Sequence, residues 1–213
     1  MRVEIWSDIV CPWCYIGKRR FERALGSFAH GDEVEVTYRS FELDPSVPKD
    51  VTTPTVGMLA SKYGMTADQA RDAQRKMEER AAQDGLTFRM NDLRSGNTRD
   101  AHRLLHLAKD SDRQADLVEL LHRGYFTEQL SIFDHAVLTR IAVEAGLDRN
   151  EAADVLASEE YGPAVETDEA MAAALGVTGV PFFVIDRRYA FSGAQPAEAM
   201  SQLLDEVWAQ EHS

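Results

Sequence analysis

Trp6-Ser7-Asp8-Ile9-Val10-Cys11-Pro12-Trp13-Cys14-Tyr15-Ile16-Gly17 holds both cysteines of the chain, with two residues between them. Upstream, Arg2–Ser7 is a short run carrying the β-formers Val3, Ile5 and Trp6, and it reads as a strand. Downstream, Ile16, Phe21, Leu25 and Phe28 recur with helical period from Pro12 onward. Pro12 suits the first helical position, where its missing N–H would have no partner in any case. After the break at Gly31-Asp32, the stretch 33–41 alternates Val34, Val36 and Tyr38 and reads as a second strand. The first 41 residues therefore predict a β-α-β unit with the cysteine pair at the start of its helix.

That placement has chemical consequences. A sulfur at a helix N-terminus faces unsatisfied N–H groups and the positive end of the helix dipole, and both favour thiolate over thiol. Cys11 is thus expected to ionise below the ordinary cysteine value of about 8.5. Cys14 lies one turn in and is expected to be more buried and less acidic. The division of labour follows: Cys11 attacks a substrate disulfide, and Cys14 resolves the mixed disulfide. Pro12 stiffens the turn between them. Lys18, Arg19 and Arg20 are expected to add positive potential, with Asp8 opposing them. Two other readings compete. A structural zinc site commonly needs four ligands, and there is no second cysteine pair and no histidine nearer than His30. An inert buried pair is the ordinary fate of cysteine. Motif and β-α-β context agree on the redox reading.

The rest of the chain follows a simple order. Thr66-x-x-Gln69 is a capping-box signal, with Ala70, Ala73, Met77 and Ala81 behind it and Gly85 as a stop. Asn97-x-x-Asp100 opens a helix whose apolar face is Ala101, Leu104, Leu105 and Ala108. Leu117, Leu120, Leu121 and Tyr125 mark another. Asp134 and Asp148 cap two more, and a last one ends at Leu175-Gly176. Strand character returns at Phe182–Ile185, with Tyr189–Ser192 as its hairpin partner. Pro196 begins a final amphipathic helix. The order is β-α-β, about six helices, then β-β-α. The two β-rich ends are each too small to fold alone; joined, they make an α/β sheet of about four strands. The expected division is a discontinuous unit of residues 1–50 and 176–213, with 51–175 as an inserted helical block. Gly179-Val180-Pro181 precedes the hairpin, and the sequence leaves open whether the Val180–Pro181 bond is cis or the more frequent trans.

Composition narrows the function classes. The chain has 213 residues, 44 % hydrophobic and 28 % charged, with a net charge of −13. That is ordinary globular composition. The negative balance argues against nucleic-acid or anionic-membrane binding, where a basic face supplies affinity. Glu4 and Asp8 interrupt the first apolar stretch, so the start does not read as a secretory signal, and no window approaches a membrane span. The expectation is a cytoplasmic protein, where a lone cysteine pair is more often reactive than a static staple.

Cys-Pro-Trp-Cys on a β-α-β start, a helical insertion, and Val-Pro before a β-hairpin and helix resemble the thioredoxin superfamily, and the inserted helices its DsbA-like branch. More narrowly, Trp6 to Gly17, Phe41-Glu42-Leu43-Asp44-Pro45, Asn97-Thr98-x-x-Ala101-His102-Arg103-Leu104 and Gly176-Val177-x-Gly179-Val180-Pro181-Phe182-Phe183 are similar to the FrnE-type cytoplasmic subgroup. The resemblance implies a thioredoxin fold, with Pro181 as a cis-proline beside the sulfurs and the Val180 backbone pairing with an extended substrate. Catalysis would rest on Cys11, Cys14 and Pro181, and substrate contacts on Pro12, Trp13, Val180 and Asn97. It implies protein or small-molecule disulfides and thiols as partners. No separate cofactor is implied beyond the redox-active Cys11–Cys14 disulfide, with glutathione compatible as reductant or co-substrate. The DsbA type member carries Pro-His between its cysteines; Trp13 cannot carry charge, which weighs against a strongly oxidising potential.

Two alternatives stand beside this reading. Kappa-class glutathione transferases and 2-hydroxychromene-2-carboxylate isomerases share the inserted layout, with serine where this chain has Cys11. A non-enzymatic peptide-binding or chaperone module is the other. Among remaining residues, His102 and His106 have metal-compatible spacing but lack further ligands and read as partly exposed helix-flank residues. Asn97 reads as a helix N-cap. Glu4 reads as a solvated strand-end carboxylate, and the lysine- and arginine-free stretch from Asn150 to Asp186 as a solvated acidic face. Met65, Met77 and Met90 read as core filling.

Overall fold

The computed structural model describes residues 1–211. Arg2–Ser7 forms β1, Pro12–Ser27 α1 and Glu35–Ser40 β2. A two-residue ladder of β3 (Thr53–Pro54) and β4 (Arg94–Ser95) brackets α2 (Thr55–Tyr63) and α3 (Ala67–Ala82). Then come α4 (Arg99–Asp110), α5 (Gln114–Phe126), α6 (His135–Glu144), α7 (Arg149–Ala157) and α8 (Gly162–Ala174). The chain closes with β5 (Phe182–Ile185), β6 (Tyr189–Ser192) and α9 (Ala197–Glu211). The sheet has the order β2-β1-β5-β6. β1 is central: it pairs in parallel with β2 (Ile5 opposite Tyr38) and antiparallel with β5 (Ile5 opposite Phe183). This is the expected α/β thioredoxin-like fold, with helices inserted between its two halves.

Most elements start where the sequence places their caps. Thr66 and Gln69 form a complete capping box, and the Asp134 and Asp148 carboxylates accept the first amides of α6 and α7. Three local expectations need correction. Seven helices, not six, lie between residues 51 and 175 among the described residues. The unexpected one, α2, has no side-chain cap to announce it and is docked by a Gln74–Thr55 hydrogen bond of 2.7 Å. Asn97 sits one residue before the N-cap Thr98, although its Oδ1 does accept the Arg99 amide at 2.9 Å. Ala73 is exposed, and Gln74 takes its place on the buried face of α3.

One continuous core runs through both halves of the molecule. It joins Val3, Ile5, Phe21 and Phe183 around the sheet to Leu104, Leu117, Leu121 and Phe126 of the inserted helices. The inserted helices also complete the sheet. β2 is an edge strand, which would leave unpaired main-chain groups open to any passing strand. The Gln114 side chain of α5 accepts the Tyr38 amide at 2.9 Å and donates to the Tyr38 carbonyl at 3.0 Å. Asp168 of α8 accepts the Ser40 amide at 2.9 Å, and its carbonyl accepts the Trp6 indole N–H at 2.9 Å.

Two buried acids therefore depart from expectation. Glu4 is buried, because Arg39 at 2.5 Å and Arg187 at 3.2 Å clamp it over the sheet. Burial works against its charged form, but the two guanidiniums win and hold its carboxyl below the usual range. Asp168 is the exception on the otherwise mostly exposed acidic stretch: it pairs with Arg39 at 3.0 Å and His106 at 3.2 Å. Of the three methionines read as core filling, Met90 joins the core and the partly buried Met77 packs against it, while Met65 belongs to neither set.

Candidate functional site

Cys11 is the N-cap of α1, with an extended backbone (φ −88°, ψ 112°) and Pro12 following in the first turn. Its carbonyl accepts the amides of Cys14 at 3.0 Å and Tyr15 at 3.4 Å, while its own amide donates to the Asp8 carbonyl at 3.2 Å. The turn between strand and helix is thus held from both sides. Both thiols are free and buried. The Cys11 thiol donates to the Val180 carbonyl at 3.5 Å, and the Val180–Pro181 peptide is cis. Burial pushes the Cys14 thiol well above its ordinary value, and the neighbouring Cys11 adds to this. Hydrogen bonds from the Ser7 hydroxyl and the Asp8 amide work the other way and lose. Cys14 therefore stays protonated until something withdraws its proton.

The structure brings Cys11, Pro12, Cys14, Val180 and Pro181 together, with Trp13 on the rim, 40 % exposed. Beside Val180 lies an open depression of about 370 Å³, lined by Gly176, Gly179 and Gly193 together with Val177, Thr178, Phe182 and Ser192. Asn97 does not join this group through its polar contacts: its amide donates to the Val47 carbonyl at 2.9 Å and its oxygen caps α4.

The electrostatics differ from expectation in one respect. Lys18 is buried and paired at 2.5 Å with both Glu22 and Glu119; Arg19 pairs with Glu119 at 2.8 Å. Arg20 forks onto Asp84, with contacts of 2.7 to 3.0 Å. Their charges are spent on partners rather than lent to the thiols. Charge reaches the turn from another direction. The buried Asp8 carboxylate accepts the Leu43 amide at 2.8 Å and meets His102 Nε2 at 3.3 Å. His122 Nε2 approaches the Asp8 carbonyl at 3.4 Å, its ring stacked on Tyr15 at 4.9 Å. His102 and His106 are therefore interior residues, 0 % and 8 % exposed, because each lies against a carboxylate beneath the helix rather than on its flank. Among the described residues no group of three or more His, Cys, Asp or Glu could hold a metal ion.

Several site residues were not singled out from sequence. Gly17 is one: a Cβ there would lie 2.8 Å from Pro181 Cγ, so its bareness lets α1 pack on the proline. A glycine inside a helical pattern was the available signal. Ser7, a polar residue closing an apolar strand, and His122, within the apolar face of α5, are the others.

The comparisons with known proteins agree with this geometry. A family described as DSBA-like thioredoxin domain matches residues 2–205. A probable DsbA oxidoreductase from Streptomyces coelicolor superposes with a TM-score of 0.94 at 51 % identity, covering 98 % of this chain and 90 % of that one. The cytosolic disulfide reductase DsbM from Pseudomonas aeruginosa is similar at a TM-score of 0.69 and 17 % identity, covering 98 % and 100 % of the two chains. A 2-hydroxychromene-2-carboxylate isomerase reaches 0.71 at 13 % identity, covering 100 % and 98 %. At such identities the last two show a common fold alone.

Proposed function

Because the chain belongs to the DsbA-like thioredoxin domain family, we propose that it is a thiol–disulfide oxidoreductase in which Cys11 is the nucleophile and Cys14 the resolving thiol. The observation that carries this reading is the arrangement of the pair. One sulfur caps α1 against the Val180 carbonyl, and the other is buried and held protonated a turn behind. In the reducing direction, the Cys11 thiolate attacks one sulfur of a substrate disulfide. That S–S bond breaks, and the departing sulfur leaves as a thiolate that takes up a proton. Cys14 then loses its proton and attacks Cys11 Sγ; the mixed disulfide breaks, the second substrate thiolate leaves, and the Cys11–Cys14 disulfide holds the two electrons' worth of oxidation. The oxidising direction is the same path reversed.

The Val180 carbonyl against the Cys11 thiol, with the open depression beside it, favours an extended segment or a small thiol lying across the sulfurs. Pro12 and Trp13 would form the facing edge, and Pro181 would shape the groove. DsbM is also known with GSH, which supports glutathione as a candidate reductant or co-substrate here. The FrnE-type motifs and the name of DsbM as a cytosolic enzyme support placing the protein in the cytoplasm. No described helix is long and apolar enough to cross a membrane.

Cys14→Ser tests the reading. The variant should accumulate mixed disulfides through Cys11, visible on non-reducing gels with a disulfide peptide, and should stop turning over. Full turnover with no trapped species would overturn it. A glutathione-dependent isomerase or transferase would tolerate the change and bind glutathione saturably. A binding module would keep its aggregation-suppressing activity with both cysteines replaced by serine.

A further inference from the structure

Asp8 is a buried acid three residues before Cys11, and its carbonyl accepts the Cys11 amide at 3.2 Å where the chain enters α1. A negative charge there works against a thiolate on Cys11, and the more so where water is excluded. A second fully buried titratable side chain faces it. His102, in the first turn of α4, sets Nε2 3.3 Å from Asp8 Oδ1, with ring and carboxylate 0 % and 1 % exposed. Its Nδ1 is buried without a hydrogen-bond partner, so the ring's hydrogen bond among the described residues is the one to Asp8. Two further carboxylates face this ring, and one cation stands behind them. Glu42 follows β2, Glu169 belongs to α8, and Arg99 of α4 faces Glu42 at 3.7 Å. From α5, His122 reaches the Asp8 carbonyl and not its carboxylate.

We propose that His102 is a positioning residue for thiol–disulfide exchange: as an imidazolium it neutralises Asp8 and keeps the mouth of α1 favourable to the Cys11 thiolate. The role rests on the reading of Cys11 as nucleophile. Burial alone would keep the ring neutral, but the Asp8 hydrogen bond and charge, with Glu42 and Glu169 behind them, outweigh it and raise His102 above its ordinary range. When pH rises through that value the proton leaves, Asp8 stands unneutralised, and the field at Cys11 turns less favourable. The inserted helices thereby set the reactivity of a cysteine on the other half of the chain.

The test reads Cys11 directly, by the pH profile of iodoacetamide alkylation in the full chain carrying Cys14→Ser. His102→Gln keeps a donor near Nε2 and removes the charge. It should move the midpoint of the profile up by about half to one pH unit, a threefold to tenfold loss of thiolate below the midpoint. Adding Asp8→Asn removes the charge left behind and should bring the midpoint back to near the parent value. A purely architectural role predicts a double variant displaced at least as far as the single, and that result, or an unmoved single, overturns the proposal. A second measurement needs neither substitution. If His102 stabilises the thiolate, the thiolate must stabilise the imidazolium by the same amount. NMR titration should therefore place the His102 midpoint higher in the reduced protein than in Cys11→Ser; equal midpoints overturn the proposal. Alkylation is independent of turnover. A rescued midpoint in a protein that turns over no disulfide would remove the proposed function and leave the charge pairing standing.

Discussion

Gly17 shows how much of the site is set by a side chain that is missing. Glycine inside a helix costs about 1 kcal/mol relative to alanine. Here it permits contact with Pro181, whose ring Cγ would sit 2.8 Å from a Cβ at position 17. A proline ring is closed and cannot swing away as a long side chain can. Gly17→Ala should gain helix propensity yet lose about 1–3 kcal/mol to overpacking. The larger effect should be on rate, because the displaced loop carries the Val180 carbonyl that meets the Cys11 thiol. We expect kcat/KM with a disulfide peptide to fall at least about tenfold; a variant as fast as the parent would show that this contact does not matter. The cysteines, Pro12 and Pro181 were visible in sequence because their meaning is local: two residues of spacing, a helix start, a strand start. Gly17, His102 and Glu4 take theirs from partners far along the chain, and no local pattern could supply those.

At the scale of elements, α1 is anchored by ion pairs rather than left as a source of positive potential. Arg20 is 9 % exposed, bonds Asp84 through two nitrogens and donates to the Ala194 carbonyl at 2.6 Å, tying α1 to the end of α3 and to the turn before α9. Arg20→Met should cost about 3 kcal/mol or more in urea unfolding, since it removes the buried, bidentate partner of a buried carboxylate and leaves it the more exposed Arg23. Arg23→Met, at an exposed partner of the same Asp84, should cost less than about 1 kcal/mol. Equal losses would refute this ranking. The contact of α5 with the site has a pH signature. Burial, helped by Lys18, lowers His122 from 6.5 to about 4. Below pH 6.5 the unfolded chain takes up a proton that the folded chain refuses, so stability falls as pH drops from 6.5 toward 4. The loss at the end of that window is on the order of 3 kcal/mol. His122→Phe keeps a ring against Tyr15 and should flatten that part of the stability profile; an unchanged acid slope would assign it to other groups. His102 acts in the opposite sense: its raised value gives stability that is complete below pH 6.5 and fades as pH climbs through the folded value.

For the molecule as a whole, the inserted helices are part of the structure that holds the sheet. Gln114 and Asp168 satisfy the outer edge of β2, Asp168 also accepts the Trp6 indole, and the core is continuous from Ile5 to Leu121. Joining residues 50 and 176 by a short Gly-Ser linker would expose that face and those main-chain groups. We expect the shortened chain to show no cooperative thermal transition by circular dichroism. A cooperative transition with native-like strand content would show that the sheet and its two flanking helices suffice. The helices also bring Asp8 its two histidines, from α4 and α5.

Periodicity, caps and the two cysteines were enough to place most helices and all four strands of the main sheet within a residue or two. The reason is that those signals act over a turn or a hairpin. They also singled out the cysteine pair at the start of α1, since its spacing and the helix start are both local features. What they could not reach was the charge map. Whether Lys18 lends its charge or is neutralised, whether Glu4 is wet or clamped, and which carboxylate His102 meets depend on which surfaces fold together. A charged group's behaviour is set by its desolvation and its nearest partner, and both exist only after the helical insertion has packed against the sheet.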